Sequence, residues 1–298
     1  MLEVNRLYKY FGDFPALSDV SFNLKQGETL GIIGQNGAGK TTIFRLLLGF
    51  LNPEQGEISW TIDTKDFLNS VGYLPEERGL HVKRTIENQI SFFGSLKGMS
   101  EDDINIQMDY WFDKFQVTAT KKQKISSLSK GNKQKIQLIC SILHRPKFLI
   151  LDEPYSGLDP VNSAVLSEGI RMLKENGTTI IFSSHNMDNV EHISDNIMML
   201  KQGNVVLNGN INVIKDSFGK TNILVENKPG IKEKISALPG VVSLDELTDN
   251  TLKIKVNEES IGEKIFDLVI SDGYTNTFKQ SPPTLEEIFK IKAGDSHE

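Results

Sequence analysis

The chain has 298 residues, 38% of them hydrophobic and 24% charged, with a formal net charge of −6. This length predicts a large α/β domain joined to a smaller one, and no run approaches the roughly 20 apolar residues that a membrane-crossing helix needs. The acidic balance supplies no overall field to draw in nucleic acid, and the single cysteine, Cys140, excludes an intramolecular disulfide or a cysteine-based zinc site.

The N-terminal residues Met1 to Arg6 carry an acid and polar breaks where a signal peptide needs an apolar stretch, which predicts a cytosolic location. Alternation in Asp19 to Leu24 predicts a strand, and the apolar run Thr29 to Ile33 predicts a buried one. There follows Gly34-Gln35-Asn36-Gly37-Ala38-Gly39-Lys40-Thr41, which fits G-x-x-x-x-G-K-[ST] and leads into an apolar helix containing Ile43, Phe44, Leu46 and Leu47. Glycines let successive backbone N–H groups turn onto phosphates, and the helix N-terminus adds partial positive charge. In such a loop Lys40 pairs with the β- and γ-phosphates and Thr41 reaches Mg²⁺.

From about residue 85 to 145 the period becomes helical. Ile104, Met108, Trp111, Phe112 and Phe115 line one face, and Cys140 falls in an apolar helix as a packed, inert thiol. Buried-strand patterns return at Phe148–Leu151, Thr179–Phe182 and Ile197–Leu200, with helix-length stretches between them, which predicts a mostly parallel sheet. The first of these strands delivers Asp152 and Glu153 at its end, where open parallel sheets bind ligands. Asp152 is the expected Mg²⁺ partner and Glu153 the expected base for an attacking water. His185 ends the strand Ile180–Ser184 at the same sheet edge, and the remaining histidines show no metal-ligand spacing. Residues 222–298 predict a small α+β domain with strands at Ile223–Val225, Val241–Val242, Leu252–Val256 and near Tyr274. Its helices are expected near Ile231–Leu238, at Ile261–Val269 and from Leu285, the last opened by a Thr284/Glu287 capping box.

Ahead of Asp152, the run Leu128-Ser129-Lys130-Gly131-Asn132 resembles the signature motif of ATP-binding-cassette (ABC) ATPases, usually written LSGGQ. The rest of the chain follows that family's order: a phosphate loop at Gly34 to Thr42, a Q-loop-like turn at Tyr73 to Glu76, a D-loop at Ser156 to Asp159 and a switch histidine at His185. The resemblance implies a P-loop NTPase cassette over residues 1–218, with a mixed-sheet core and an inserted helical subdomain, followed by the accessory domain. It implies ATP and Mg²⁺ as cofactors, ATP hydrolysis with Glu153, His185 and Glu76 as catalytic groups, and Thr41, Glu76 and Asp152 at the metal. Nucleotide contacts are implied for Phe11 (with Tyr10 as fallback), Gly34, Asn36, Gly37, Ala38, Gly39, Lys40, Thr41, Thr42, Ser129, Gly131 and Asp159. The sequence departs from the family at Lys130, Asn132 and Glu76, where glycine, glutamine and glutamine are usual.

The family further implies that two copies face each other head to tail around two nucleotides and drive a separate transmembrane permease, at the cytoplasmic face of the membrane. The tail, with Pro283 to Phe289, resembles an export-type bacterial branch that includes the sodium-efflux type; ion, lipid, peptide and drug cargoes all stay open. Ribosome- or DNA-directed members of the family have tandem cassettes or long coiled coils, neither of which is present, and Glu153 with His185 speaks against a module that binds ATP without hydrolysing it.

Overall fold

The computed structural model describes residues 2–61, 67–76, 79–247, 250–271 and 273–293. The chain forms two compact units, which divide between Gly209 and Asn210.

In the first unit, β1 (Leu2–Phe11) and β2 (Phe14–Leu24) make an antiparallel hairpin that turns at Gly12, and β4 (Gln55–Trp60) adds to the far side of β1. A second sheet has the order β5-β6-β7-β3-β8-β9, built from β3 (Thr29–Ile33), β5 (Val71–Leu74), β6 (Phe148–Leu151), β7 (Thr179–Ser184), β8 (Asn196–Lys201) and β9 (Asn204–Asn210). Pairs β5–β6, β6–β7, β7–β3 and β3–β8 are parallel. Among the helices joining these strands are α1 (Lys40–Leu47), the short α2 (Phe67–Ser70), α6 (Pro160–Glu175) and α7 (Met187–Ile193). Every residue of β3, β6 and β7 is buried, which is why these strands read as unbroken apolar runs: residues such as Ile32, Ile150 and Ile181 share a core with α1 and the β1–β2 hairpin, and α7 packs against β3 and β7.

Between β5 and β6 the described residues include the α-helices α3 (Ile86–Leu96), α4 (Glu101–Lys114) and α5 (Lys130–Ile142). Each is opened by a hydroxyl side chain at its N-cap, where Thr85, Ser100 and Ser129 accept from the N–H groups of Asn88, Asp103 and Asn132. Ile104, Met108, Trp111 and Phe115 are buried on the predicted face of α4, with Phe112 half-buried beside them. Cys140 is buried in α5, and burial pushes its thiol up to about 12, which keeps it protonated and inert.

The second unit opens with α8 (Ile211–Ser217) and continues β10 (Asn222–Glu226), α9 (Ile231–Ser236), β11 (Val241–Glu246), β12 (Thr251–Val256), α10 (Ile261–Ser271), β13 (Phe278–Ser281) and α11 (Leu285–Ala293). From β10 to β13 this is a β-α-β-β-α-β order whose strands lie β11-β12-β10-β13, each antiparallel to its neighbour, as in ferredoxin-like folds. Ile223, Val225, Leu252 and Ile254 pack against Ile231, Ile235, Ile265 and Val269.

Two expectations need adjustment. The division falls before α8, so residues 211–217 go with the second unit where the sequence suggested the first would run to 218. The strand expected near Tyr274 begins only at Phe278. Tyr274 is 87% exposed, and the loop there is held by Thr275 and Asn276 bonding to Glu226 rather than by a ladder.

The Thr284/Glu287 capping box is present: Thr284 N donates to Glu287 Oε2 at 2.8 Å and Glu287 N to Thr284 Oγ1 at 3.3 Å. Burial pushes the Glu287 carboxyl up, but Lys253 Nζ (2.9 Å), the Thr284 N–H and Asn222 Nδ2 (2.6 Å) outweigh it and hold the group at about 2. A depressed carboxyl contributes stability above its unfolded value of 4.5 and loses it as pH falls toward 2. Glu287→Gln is therefore expected to destabilise this unit by about 1–2 kcal/mol at neutral pH. Urea unfolding followed by far-UV circular dichroism should show that gap closing as the pH is lowered from 4.5 toward 2.

Candidate active site

β3 runs into Gly34, and the following loop curls so that helix α1 begins at Lys40. Gly39, the N-cap of α1, has φ 110°, and a Cβ there would lie 2.8 Å from Ala16 O; only glycine fits. The first turn of α1 contains no acid, which leaves its free N–H groups available to an anion. Lys40 is 6% exposed and folds back over the loop, donating to Gly34 O at 2.7 Å and Gln35 O at 3.4 Å.

The sheet register brings the other functional groups to the same edge. Leu74 pairs with Leu151, Leu151 with Phe182 and Ile33 with Ser184, so Glu76, the Asp152–Glu153 pair, Gly34 and His185 all leave the sheet where its parallel strands end. Asp152 is 1% exposed and Glu153 6%. Burial pushes the Asp152 carboxyl up, and neighbouring Glu153 adds to this; Ser183 Oγ (2.7 Å) and Thr41 Oγ1 (2.9 Å) oppose it by donating to its two oxygens. Glu153 sits at φ 47°, a conformation that costs about 1–3 kcal/mol outside glycine. It is held there by its N–H, which donates to Ser183 Oγ at 2.8 Å, and by its two carboxylate oxygens, which face Lys40 Nζ at 3.4 Å and His185 Nδ1 at 2.9 Å. Since an ionised carboxylate only accepts, the His185 contact requires the proton on Nδ1.

A cavity of about 310 Å³ opens over this edge, lined by residues 35–42 together with Phe11, Phe14, Ala16, Glu76, Asp152 and Glu153. Most of the expected site residues thus meet in one place. Gly34 does not line the cavity but closes the loop beneath it, where a Cβ would lie 2.7 Å from Leu200 O. His185 reaches the cavity only through Glu153, and its side chain is 68% exposed. Ser129, Gly131 and Asp159 lie outside it: Ser129 caps α5, Gly131 is the second residue of α5, and Asp159 caps α6.

Thr41 and Asp152, with Glu76 in the same lining, form a set of hard oxygen donors beside a phosphate loop. That set fits Mg²⁺, which binds through one or two protein oxygens plus phosphates and water. Among the described residues no three His, Cys, Asp or Glu side chains form a metal cage, and a nucleotide-borne Mg²⁺ needs none.

Two further residues belong to this site that the sequence motifs do not single out. Phe14 lines the cavity opposite Phe11, its cross-strand partner at the tip of the β1–β2 hairpin, whereas Tyr10 does not line it; an aromatic on each side of Gly12 was the available signal. Ser183 is fully buried between the acids, a placement visible only once β6 and β7 are paired. Ser183→Ala would leave the buried Asp152 carboxylate and the Glu153 N–H each short of a partner. Urea unfolding should show a loss of about 1–3 kcal/mol.

Comparison with known proteins identifies the family. A family model described as ABC transporter matches residues 17–156, and one described as ATP-binding protein DrrA1-3-like, C-terminal domain, matches residues 209–293. YhaQ of Bacillus subtilis, an uncharacterized ABC transporter ATP-binding protein, is 38% identical over 100% of both chains. The ABC transporter ATP-binding protein NatA of the same organism is 32% identical over 68% of this chain and 85% of its own. The linearmycin resistance ATP-binding protein LnrL, also from that organism, is 27% identical over 97% of each. Among solved structures, an ATP-binding subunit of an ABC transporter superposes with a TM-score of 0.67 at 30% identity, covering 74% of this chain and 93% of that one. A dimeric cassette in a post-hydrolysis state with ADP and Pi has a TM-score of 0.63 at 20% identity, covering 71% and 99%, a likeness of fold. The phosphate loop, the buried acid pair and full-length similarity together place the chain in the ABC transporter family as an ATP-binding subunit with ATPase activity.

Proposed function

We propose that two copies of this chain close head to tail around two Mg-ATP molecules, and that closure drives a separate membrane permease in the direction of export. The observation that carries this reading is the split site: Lys40, Thr41 and Glu153 share one cavity, while Ser129, which heads the 13-residue helix α5, lies outside it. A second copy turned to face the first would bring its Ser129 and Gly131 onto the γ-phosphate, with Asp159 alongside. Lys130 adds a cation at that helix N-terminus. The post-hydrolysis cassette dimer of similar fold supports such an assembly. Each γ-phosphate then joins two subunits, and hydrolysis removes the group that joins them.

Within one site, Phe11 and Phe14 offer aromatic faces to adenine, and the loop from Asn36 to Thr42 cradles the phosphates. Thr41, Asp152 and Glu76 would hold Mg²⁺, which supplies charge neutralisation on the transferred phosphoryl group. Lys40 Nζ lies 3.4 Å from Glu153; phosphates in the loop would draw that ammonium to themselves and leave Glu153 paired with His185, free to accept a proton from the attacking water. His185 keeps the base oriented through its Nδ1 contact with Glu153.

For the permease, an apolar cavity of about 320 Å³ lies where the sheet meets the helices, lined among others by Phe50, Tyr73, Pro75, Leu80 and Phe93. It suits a short amphipathic helix of a membrane partner, which would hold this chain at the cytoplasmic face; positions 77 and 78 of the adjoining loop lie outside the described residues. No helix among the described residues is long and apolar enough to cross a membrane. Export is favoured by the NatA and LnrL likeness and by LnrL's association with resistance; sodium or another ion, a lipid, a peptide or a drug are the cargo classes that fit.

Glu153→Gln is expected to lower ATP turnover at least about 100-fold while equilibrium dialysis shows ATP binding retained. Turnover within about twofold of the parent would remove Glu153 from the role of base. Co-purification with a membrane protein in detergent, with ATPase measured in its presence and absence, tests the coupling.

A further inference from the structure

Helix α5 carries a row of buried polar side chains that the chemistry above leaves unused. Gln134, Gln137 and Ser141 are 8%, 4% and 7% exposed and are spaced to share one helix face. Each donates to a backbone carbonyl of the sheet edge: Gln134 Nε2 to Pro154 O at 2.8 Å, Gln137 Nε2 to Pro75 O at 3.2 Å, and Ser141 Oγ to Tyr73 O at 2.9 Å. Close approach is built in, because Gly72 of β5 lacks the Cβ that would collide with Ser141 O.

The bond from Gln137 has a particular consequence. Pro75 has no N–H, so its carbonyl is its one backbone handle, and that carbonyl belongs to the peptide plane that carries Glu76. We infer that Gln137 is a positioning residue for Glu76, fixing the Pro75–Glu76 peptide so that the carboxylate stays aimed at the cavity shared with Thr41 and Asp152. Ser129 heads the same helix eight residues earlier, about 12 Å along its axis. A displacement of Ser129 by the opposite subunit's nucleotide therefore moves Glu76 through one rigid element, and the Gln137 amide keeps that motion from being lost in a side-chain rotation. This role rests on the proposed reading of Glu76 as a site residue.

The test is a double-mutant cycle in the full chain with Gln137→Met, which keeps volume and removes the amide, and Glu76→Ala. Gln137→Met alone should lower kcat about fivefold with KM for ATP changed less than about twofold, the loss of one hydrogen bond. Combined with Glu76→Ala it should cause no further loss, whereas Gln134→Met, whose amide goes to Pro154, should multiply with Glu76→Ala. In nucleotide-free protein, amide hydrogen exchange over 71–76 should quicken in Gln137→Met and stay unchanged in Gln134→Met. A full fivefold loss from Gln137→Met in the Glu76→Ala background, or unchanged exchange over 71–76, would overturn the positioning role while leaving Glu76 in the site. Unchanged turnover in Glu76→Ala alone would overturn both.

Discussion

Two adjacent carboxylates buried at the end of one strand are the constraint around which this protein is organised. Asp152 and Glu153 are almost wholly removed from water, and its own burial together with the neighbouring Glu153 raises the cost of ionising Asp152. Cations and donors converge on the pair. Lys40 comes from the phosphate loop, Thr41 from the first turn of α1, Ser183 from inside β7 and His185 from its end. The parallel order β5-β6-β7-β3 is what allows residues so far apart in sequence to meet, because every strand in it ends at the same edge. The strained backbone of Glu153 is tolerated because that network over-determines its position.

The same geometry is what the proposed two-copy site rests on. The cavity that gathers Lys40, Thr41, Glu76 and the acids is lined also by Phe11 and Phe14 of the β1–β2 hairpin, whereas Ser129 and Gly131, at the head of α5, do not line it. Helix α5 is nevertheless tied to that edge from below through Gln134, Gln137 and Ser141. In the proposed dimer these bonds would give a nucleotide held by the opposite subunit at Ser129 a mechanical path to Glu76 and Pro154.

Local features were legible in the sequence because they depend on neighbours in the chain. The phosphate loop declares itself through Gly37 and Gly39, both at positive φ, the buried strands through apolar runs such as Phe148–Leu151, and the last helix through Thr284 and Glu287. Residues whose role depends on long-range pairing were not legible. Ser183 matters because β7 lies beside β6, and Gln137 because α5 lies against β5. The start of the second unit was placed late for a similar reason, since whether α8 belongs to one core or the other is decided by packing and leaves no mark in its own periodicity. Tyr274 misled because an aromatic between polar residues resembles a strand, while the bonds of its neighbours Thr275 and Asn276 to Glu226 make that stretch a loop.

The most direct measurement is the mass of the Glu153→Gln chain in solution by light scattering, with saturating Mg-ATP and with Mg-ADP. A γ-phosphate shared between Lys40 of one copy and Ser129 of the other predicts two chains with ATP, one with ADP, and one with ATP when Ser129→Glu is added. A single-chain mass at saturating ATP, or an ATP-dependent pair that survives Ser129→Glu, would contradict it.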